Sequence, residues 1–148
     1  MRRNNGRSRV GGEDGYTLTE ILVVMAIIGL IAAVLTPNLI GQLGRSRSKA
    51  AQVQLESVAA AVEIFRSDLG HYPTQAEGLQ ALIAQPGDGE GWTGPYVKSA
   101  KVLDDPWGNR IDYKLSSDGR TFLVTSLGAD GLPNGQGLNR DLSAPANQ

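Results

Sequence analysis

A chain of 148 residues, 41% of them hydrophobic, has room for one small domain and an anchor, and not for two large cores. The formal net charge of -1 offers no broad basic surface to nucleic acid. The absence of cysteine rules out a disulfide framework and a thiolate metal site.

The charge is unevenly placed. Arg2, Arg3, Arg7 and Arg9 stand against Glu13 and Asp14 ahead of Gly15, so the chain beyond Gly15 is more acidic than the whole. Next comes the junction Gly15-Tyr16-Thr17-Leu18-Thr19-Glu20, and then ILVVMAIIGLIAAVL from Ile21 to Leu35, without one polar side chain. With its flanks this run reaches roughly 20 residues, the length a spanning helix needs. An ordinary secretory signal carries its apolar region before the cut. Here the apolar region comes after Gly15 and stays with the mature chain. The basic side is N-terminal, which predicts a cytoplasmic leader and a translocated remainder. A plain signal anchor is the competing reading. Against it stands Glu20, because an ionisable residue at the mouth of a span is costly and usually functional. Gly29 and Pro37 are weak points in this helix. Pro37 cannot donate to the Ala33 carbonyl, which predicts a kink or a loosened turn.

Beyond Pro37 the sequence turns polar with Arg45, Arg47 and Lys49 but stays compatible with helix. Ala51, Leu55, Val58, Val62, Phe65 and Leu69 recur at alternating spacings of four and three, one apolar stripe on a polar helix. The stripe needs a cover, and a sheet is the expected one. Asp68-Leu69-Gly70 predicts the helix end, with Pro73 as a stop. Thr74 and Glu77 form a capping-box pattern ahead of Leu79, Leu82 and Ile83, which predicts a short second helix. Pro86 to Pro95 reads as a Gly-rich loop. Ile111, Tyr113 and Leu115 alternate with Asp112 and Lys114, Ser117-Asp118-Gly119 makes the turn, and Thr121–Thr125 returns as a second strand. Two strands alone are marginal, so a third is expected, around Tyr96–Val102. The tail from Ser126, rich in Gly, Asn and Asp, reads as an ordered loop or a flexible end.

Enzyme chemistry finds no foothold. His71 is the only histidine and lacks a ligand partner. No Gly-x-Ser-x-Gly elbow accompanies the serines. Gly87, Gly89 and Gly91 alternate without the Lys-Ser or Lys-Thr of a phosphate loop. Trp107 after Pro106 reads as an apolar plug over the sheet. Asp130 and Asp141 read as turn acids, and Leu132 and Pro133 break the EF-hand pattern between them.

The junction with its apolar helix resembles the class III leader of type IV pilins and pseudopilins. Further on, His71-Tyr72-Pro73-Thr74, Glu77-Gly78-Leu79 with Ala81-Leu82, Gly94-Pro95-Tyr96, Asp105-Pro106-Trp107-Gly108-Asn109 and Ser126-Leu127-Gly128-Ala129-Asp130-Gly131 resemble the major pseudopilins of type II secretion. The likeness runs from Gly15 to Leu142. It departs at Tyr16, where Phe is usual, at Thr19, where an aliphatic residue is usual, and at Glu13 and Asp14 beside the cut.

The resemblance implies an α+β, pilin-like fold: a long membrane-spanning helix continuing into a small globular domain with a short helix and a small antiparallel sheet. It implies a leader over 1–15, an assembly helix over 16–40 and a periplasmic domain over 41–148. It implies a single-pass protein of the bacterial inner membrane and a structural subunit, not an enzyme, of the fibre that drives export across the outer membrane. Gly15 and Tyr16 are then the residues of cleavage and N-methylation, and Glu20 and Pro37 those of assembly, with Glu20 paired to the amine of a neighbouring Tyr16. The implied partners are further copies of the chain, minor pseudopilins, the inner-membrane secretion platform and the prepilin peptidase. A calcium ion is implied at the Leu127 carbonyl, Asp130 and Asp141, with Asn139 as a further ligand. The competing function is a type IV pilus-like subunit for adhesion or DNA uptake. Zero cysteines and the lack of a basic surface speak against it.

Overall fold

The structure is a computed structural model that describes residues 15–87 and 89–145, without the side chains of residues 36–40. The leader before Gly15 lies outside the described residues. The chain divides into two units at Leu39 and Ile40.

A single helix, α1, spans Leu18–Leu69. Its backbone remains helical through Gly29 and Pro37. The Pro37 side chain, and with it the assembly role expected there, lies outside the described part. In the first unit every described side chain from Gly15 to Leu35 is exposed. Among the described residues one stretch, Leu18–Leu35, is long and apolar enough to cross a membrane.

The second unit holds the core. The α1 stripe buries Ala51, Leu55, Val58, Val62 and Phe65, with Leu69 packed at its edge. Each large side chain of this set contributes about 1.5–3 kcal/mol when taken out of water. The cover is a three-stranded antiparallel sheet in the order β1-β2-β3, with β1 Asp112–Leu115, β2 Phe122–Ser126 and β3 Leu142–Ala144. Tyr113 opposes Val124, and Val124 opposes Ala144, so the inward side chains of three strands line up under the helix.

The third strand is therefore not at Tyr96–Val102. That segment runs into a short 3-10 helix at Ala100–Leu103, and the missing partner comes from the tail. Leu142 and Ala144 do alternate with exposed Ser143. Three residues among Gly, Asn and Asp are too short a run to give a strand signal. The short helix after Thr74 also departs from expectation. Thr74 and Glu77 do form the reciprocal box, with Thr74 N–H donating to the Glu77 carboxylate at 2.7 Å and Glu77 N–H donating to Thr74 Oγ1 at 3.3 Å. The box opens a single 3-10 stretch, Gly78–Leu82, rather than an α-helix. Five residues that must drop Leu79, Ala81 and Leu82 into the core favour the tighter turn.

The free edge of β1 is closed by a side chain. The Gln75 amide donates to the Tyr113 carbonyl at 2.9 Å and accepts from the Leu115 N–H at 3.0 Å, as a neighbouring strand would. An unpaired edge is a template for aggregation, and this amide blunts it.

At the far end of α1 the loop before Pro95 is tied down by Asp68. Its carboxylate accepts from Thr93 Oγ1 at 2.5 Å and from the Tyr96 hydroxyl at 2.9 Å. The Thr93 hydroxyl first, then that of Tyr96, hold the Asp68 carboxyl below the ordinary carboxylate value. A depressed folded-state pKa stabilises above the unfolded value, and that gain is lost as pH falls through the folded one. We expect the loop around Thr93 to lose hydrogen-exchange protection below about pH 4, and Asp68→Asn to remove that pH dependence. A loop equally protected at pH 3 and pH 6 would show that the carboxylate does not hold it.

Candidate functional site

Two places carry the residues singled out by sequence. The first is the start of α1. Gly15, Tyr16 and Glu20 are all exposed. Thr17 N–H donates to Glu20 Oε2 at 3.4 Å, and Glu20 N–H donates to Thr17 Oγ1 at 3.2 Å. This is a capping box, and it satisfies two of the orphan amides of the first turn. It also sets a carboxylate at the positive end of the helix dipole, where it is favoured. Thr17 is a residue that sequence pattern could have found, since Thr-x-x-Glu before an apolar run is the signature of such a box. In the single chain Glu20 thus engages Thr17 of its own backbone turn.

The second place is the C-terminal loop. Asp130 and Asn139 are exposed, while Leu127 and Asp141 are half-buried. Asp130 Oδ1 accepts from Leu132 N–H at 3.1 Å, a local turn contact. Asp141 reaches further. Its two oxygens accept from Asn134 N–H at 2.9 Å and from Gly135 N–H at 3.4 Å, which ties the loop to the start of β3. The Asn139 backbone carbonyl closes the loop from inside. A Cβ built on Gly135 would collide with it, and one built on Gly128, at φ +70°, would lie 2.5 Å from it. Only glycine lets the backbone come this close. No hydrogen bond joins Asp130 to Asp141. Among the described residues no group of three or more acidic, His or Cys side chains could hold a metal. The donor set here is two carboxylates plus backbone carbonyls, all hard oxygens of the kind calcium takes.

Two motifs that stand apart in the sequence are bonded to each other. Asp105 is a buried carboxylate. Its Oδ1 accepts from Trp107 N–H at 3.0 Å and Asn109 N–H at 2.8 Å, and its Oδ2 accepts from the fully buried Ser126 hydroxyl at 2.6 Å. The Ser126 hydroxyl in turn accepts from Gly128 N–H at 3.3 Å. Asn109 Nδ2 donates to the Gly128 carbonyl at 3.0 Å. Asp-Pro-Trp-Gly-Asn is thus a clamp that holds Ser-Leu-Gly-Ala-Asp-Gly at the root of the C-terminal loop. The clue in the sequence is Ser126, a polar side chain at an inward position of β2. Such a group requires a partner. Trp107 packs at the edge of the core, half-buried beside this clamp.

Residues 38–145 match the family model for protein G of the type II secretion system. Residues 12–36 match the prokaryotic N-terminal methylation motif. The chain belongs to the type II secretion protein G family. Among its relatives is the type II secretion system core protein G of Xanthomonas campestris pv. campestris, 36% identical over 88% of this chain and 89% of that one. The core protein G of Vibrio cholerae serotype O1 is 34% identical over 88% of this chain and 90% of that one. The crystal structure of the major pseudopilin from the type 2 secretion system of enterohaemorrhagic Escherichia coli matches with a TM-score of 0.57 at 26% identity, covering 73% of this chain and 94% of that one. The α+β, pilin-like architecture is that of this family.

Proposed function

We propose that the chain is cut between Gly15 and Tyr16, methylated on the new amine, held in the bacterial inner membrane by Leu18–Leu35 with its globular domain in the periplasm, and then polymerised into a periplasmic fibre. As a member of its family the chain is a structural pseudopilus subunit of type II secretion. The observation that supports the rest is the apolar helix itself. Every described side chain from Leu18 to Leu35 is exposed. Apolar surface of that extent needs lipid around it before assembly and other helices around it afterwards. The partners proposed are further copies of the chain, the minor pseudopilins, the secretion platform of the inner membrane and the prepilin peptidase. Mass spectrometry of membrane-extracted protein should find a chain that starts at N-methyl-Tyr16. Gly15→Asp should leave the precursor intact in the membrane. A mature N-terminus at any other residue would sink this reading.

We also propose a calcium ion at the C-terminal loop, held by Asp130, Asp141, the Leu127 carbonyl and Asn139, with water completing the shell. When bound, the ion supplies positive charge between two carboxylates. The loop supports this because few large apolar side chains order it: Leu132 is 63% exposed and Leu138 41%, and the Asp141 carboxylate accepts only from the backbone amides of Asn134 and Gly135. A ligand that binds only the folded state adds about 2.7 kcal/mol at a hundredfold excess over Kd. Thermal melting of the purified chain with calcium should exceed that with chelator, and Asp130→Ala should lose most of the difference. Equal melting temperatures would return both acids to the role of turn residues.

A further inference from the structure

Within the globular unit two grooves of opposite charge lie on one flank of α1. The first holds about 380 Å³, and its charged lining is entirely basic: Arg45, Lys49 and Arg140. The second holds about 360 Å³, and its charged lining is entirely acidic: Glu56 and Glu63, over Ala59, Phe122 and Ala144. Gln52 stands between them, its amide donating to Glu56 Oε1 at 3.2 Å and to the Ser143 carbonyl of β3 at 3.4 Å. Arg45, Lys49, Gln52, Glu56 and Glu63 follow at helical spacings of four, three, four and seven, so one row of α1 runs from basic to acidic.

Most of this charge is unused inside the chain. Arg45, Lys49, Glu56, Glu63 and Arg140 are all exposed. Among the described residues only Glu63 of this set has an ion pair, to Arg66 at 3.8 Å with both side chains about half exposed, and it also accepts from the Tyr72 hydroxyl at 2.9 Å. The apolar parts match as the charges do. The basic groove presents Leu138, 41% exposed and seated against Gly44, where a Cβ would come within 2.8 Å of its methyl groups. The acidic groove presents an apolar floor in which Ala59, Phe122 and Ala144 are buried. Each groove therefore supplies what the other lacks, and the molecule that carries both is a second copy of this chain. Charge complementarity of this kind fixes register and rejects wrong partners more than it adds affinity.

We propose that the basic groove of one copy docks on the acidic groove of the next, with Arg45 and Lys49 facing Glu56 and Glu63 and with Leu138 on the Ala59–Phe122–Ala144 floor. The contact rests on the fibre reading above and names a surface for it. Arg45 to Glu56 and Lys49 to Glu63 are 11 and 14 residues apart, so parallel copies in contact are displaced by about 16–21 Å along α1. The second copy's own acidic groove stays open for a third, and a head-to-tail contact that does not close grows into a filament.

The test is fibre yield at equal membrane content from cells that make the full chain, with circular dichroism of each purified variant to report folding. Arg45→Glu with Lys49→Glu puts like charges across every contact and should cut the yield at least about tenfold. Glu56→Lys with Glu63→Lys should do the same. The chain with all four changes should recover wild-type yield, and so should the two double variants made in one cell, in fibres that contain both chains. Lys98→Glu with Lys114→Glu, exposed elsewhere, should leave the yield unchanged. The chain has no cysteine of its own, so Leu138→Cys with Ala60→Cys, on the rim of the acidic groove, should oxidise to a ladder of multimers. Absence of fibres from the wild type would refute the fibre reading itself. Wild-type fibres together with normal yield from both double variants would refute this contact alone. Folded double variants that fail, and that neither the fourfold chain nor joint production restores, would overturn the contact. So would a cross-linked product that stops at the dimer, which would mean a closed two-fold pair.

Discussion

Glu20→Ala is expected to abolish fibres while leaving membrane insertion intact. Insertion depends on the apolar run, and removing a carboxylate only eases it, by at most about 2.5–3.5 kcal/mol and less near the interface. Within the single chain the loss is small, because Glu20 there serves the Thr17 capping box, and such a cap is worth about 1 kcal/mol. Assembly is different. Each Tyr16 amine that enters an apolar bundle without its counter-charge costs about 3–5 kcal/mol, or two to four orders of magnitude in the association constant. Glu20→Gln separates the two roles. Its amide oxygen still accepts from Thr17 N–H, yet it carries no charge. We expect Gln to fail as Ala fails, measured as fibre yield at equal membrane content. Wild-type yield from Gln would assign Glu20 to the cap and not to pairing between copies.

The second large effect is expected at Asp105. Asp105→Ala leaves two backbone N–H groups and the buried Ser126 hydroxyl without an acceptor. Each orphaned group costs about 1–3 kcal/mol, offset in part because a buried charge goes as well. A net loss of about 3 kcal/mol is expected from chemical denaturation of the purified chain, with a smaller loss for Asp105→Asn, which keeps one acceptor. The loop beyond Ser126 should open first, since the clamp at Gly128 fails with Asp105. Hydrogen exchange would register this as faster exchange at Gly128 and Gly135 than at Val124. A loss below about 1 kcal/mol, or uniform exchange, would contradict the clamp.

The helix stripe, the hairpin and the apolar segment are legible because each keeps its pattern over enough residues to be read: a 3.6 period, an alternation of two, and an unbroken apolar run. Five residues from Ala51 to Phe65 share one face, and Tyr113 and Val124 alternate inward. β3 was not legible, because three residues carry no period and their pairing is decided by burial of Leu142 and Ala144 under α1. The 3-10 geometry after Glu77 escaped for a similar reason: a capping box marks a start but does not fix the kind of helix it opens. At the candidate site, resemblance names Asp130, Asn139 and Asp141, while no local pattern gives the bonds that join Asp105 to Ser126 and Asn109 to Gly128. Those bonds cross 19 to 21 residues of sequence, a distance over which local pattern is blind. Thr17 was within reach of pattern, but a carboxylate at the mouth of an apolar span points first to a partner outside its own turn.

The most direct measurement is electron cryo-microscopy of fibres sheared from cells that overproduce the chain in calcium-containing medium. The expected result is a fibre with α1 helices in its core and the Glu20 carboxylate within about 4 Å of the Tyr16 nitrogen of an adjacent copy, the reach of an ion pair. Correctly processed chain that remains in the membrane without forming fibres, or a fibre in which Glu20 faces no neighbouring amine, would contradict it.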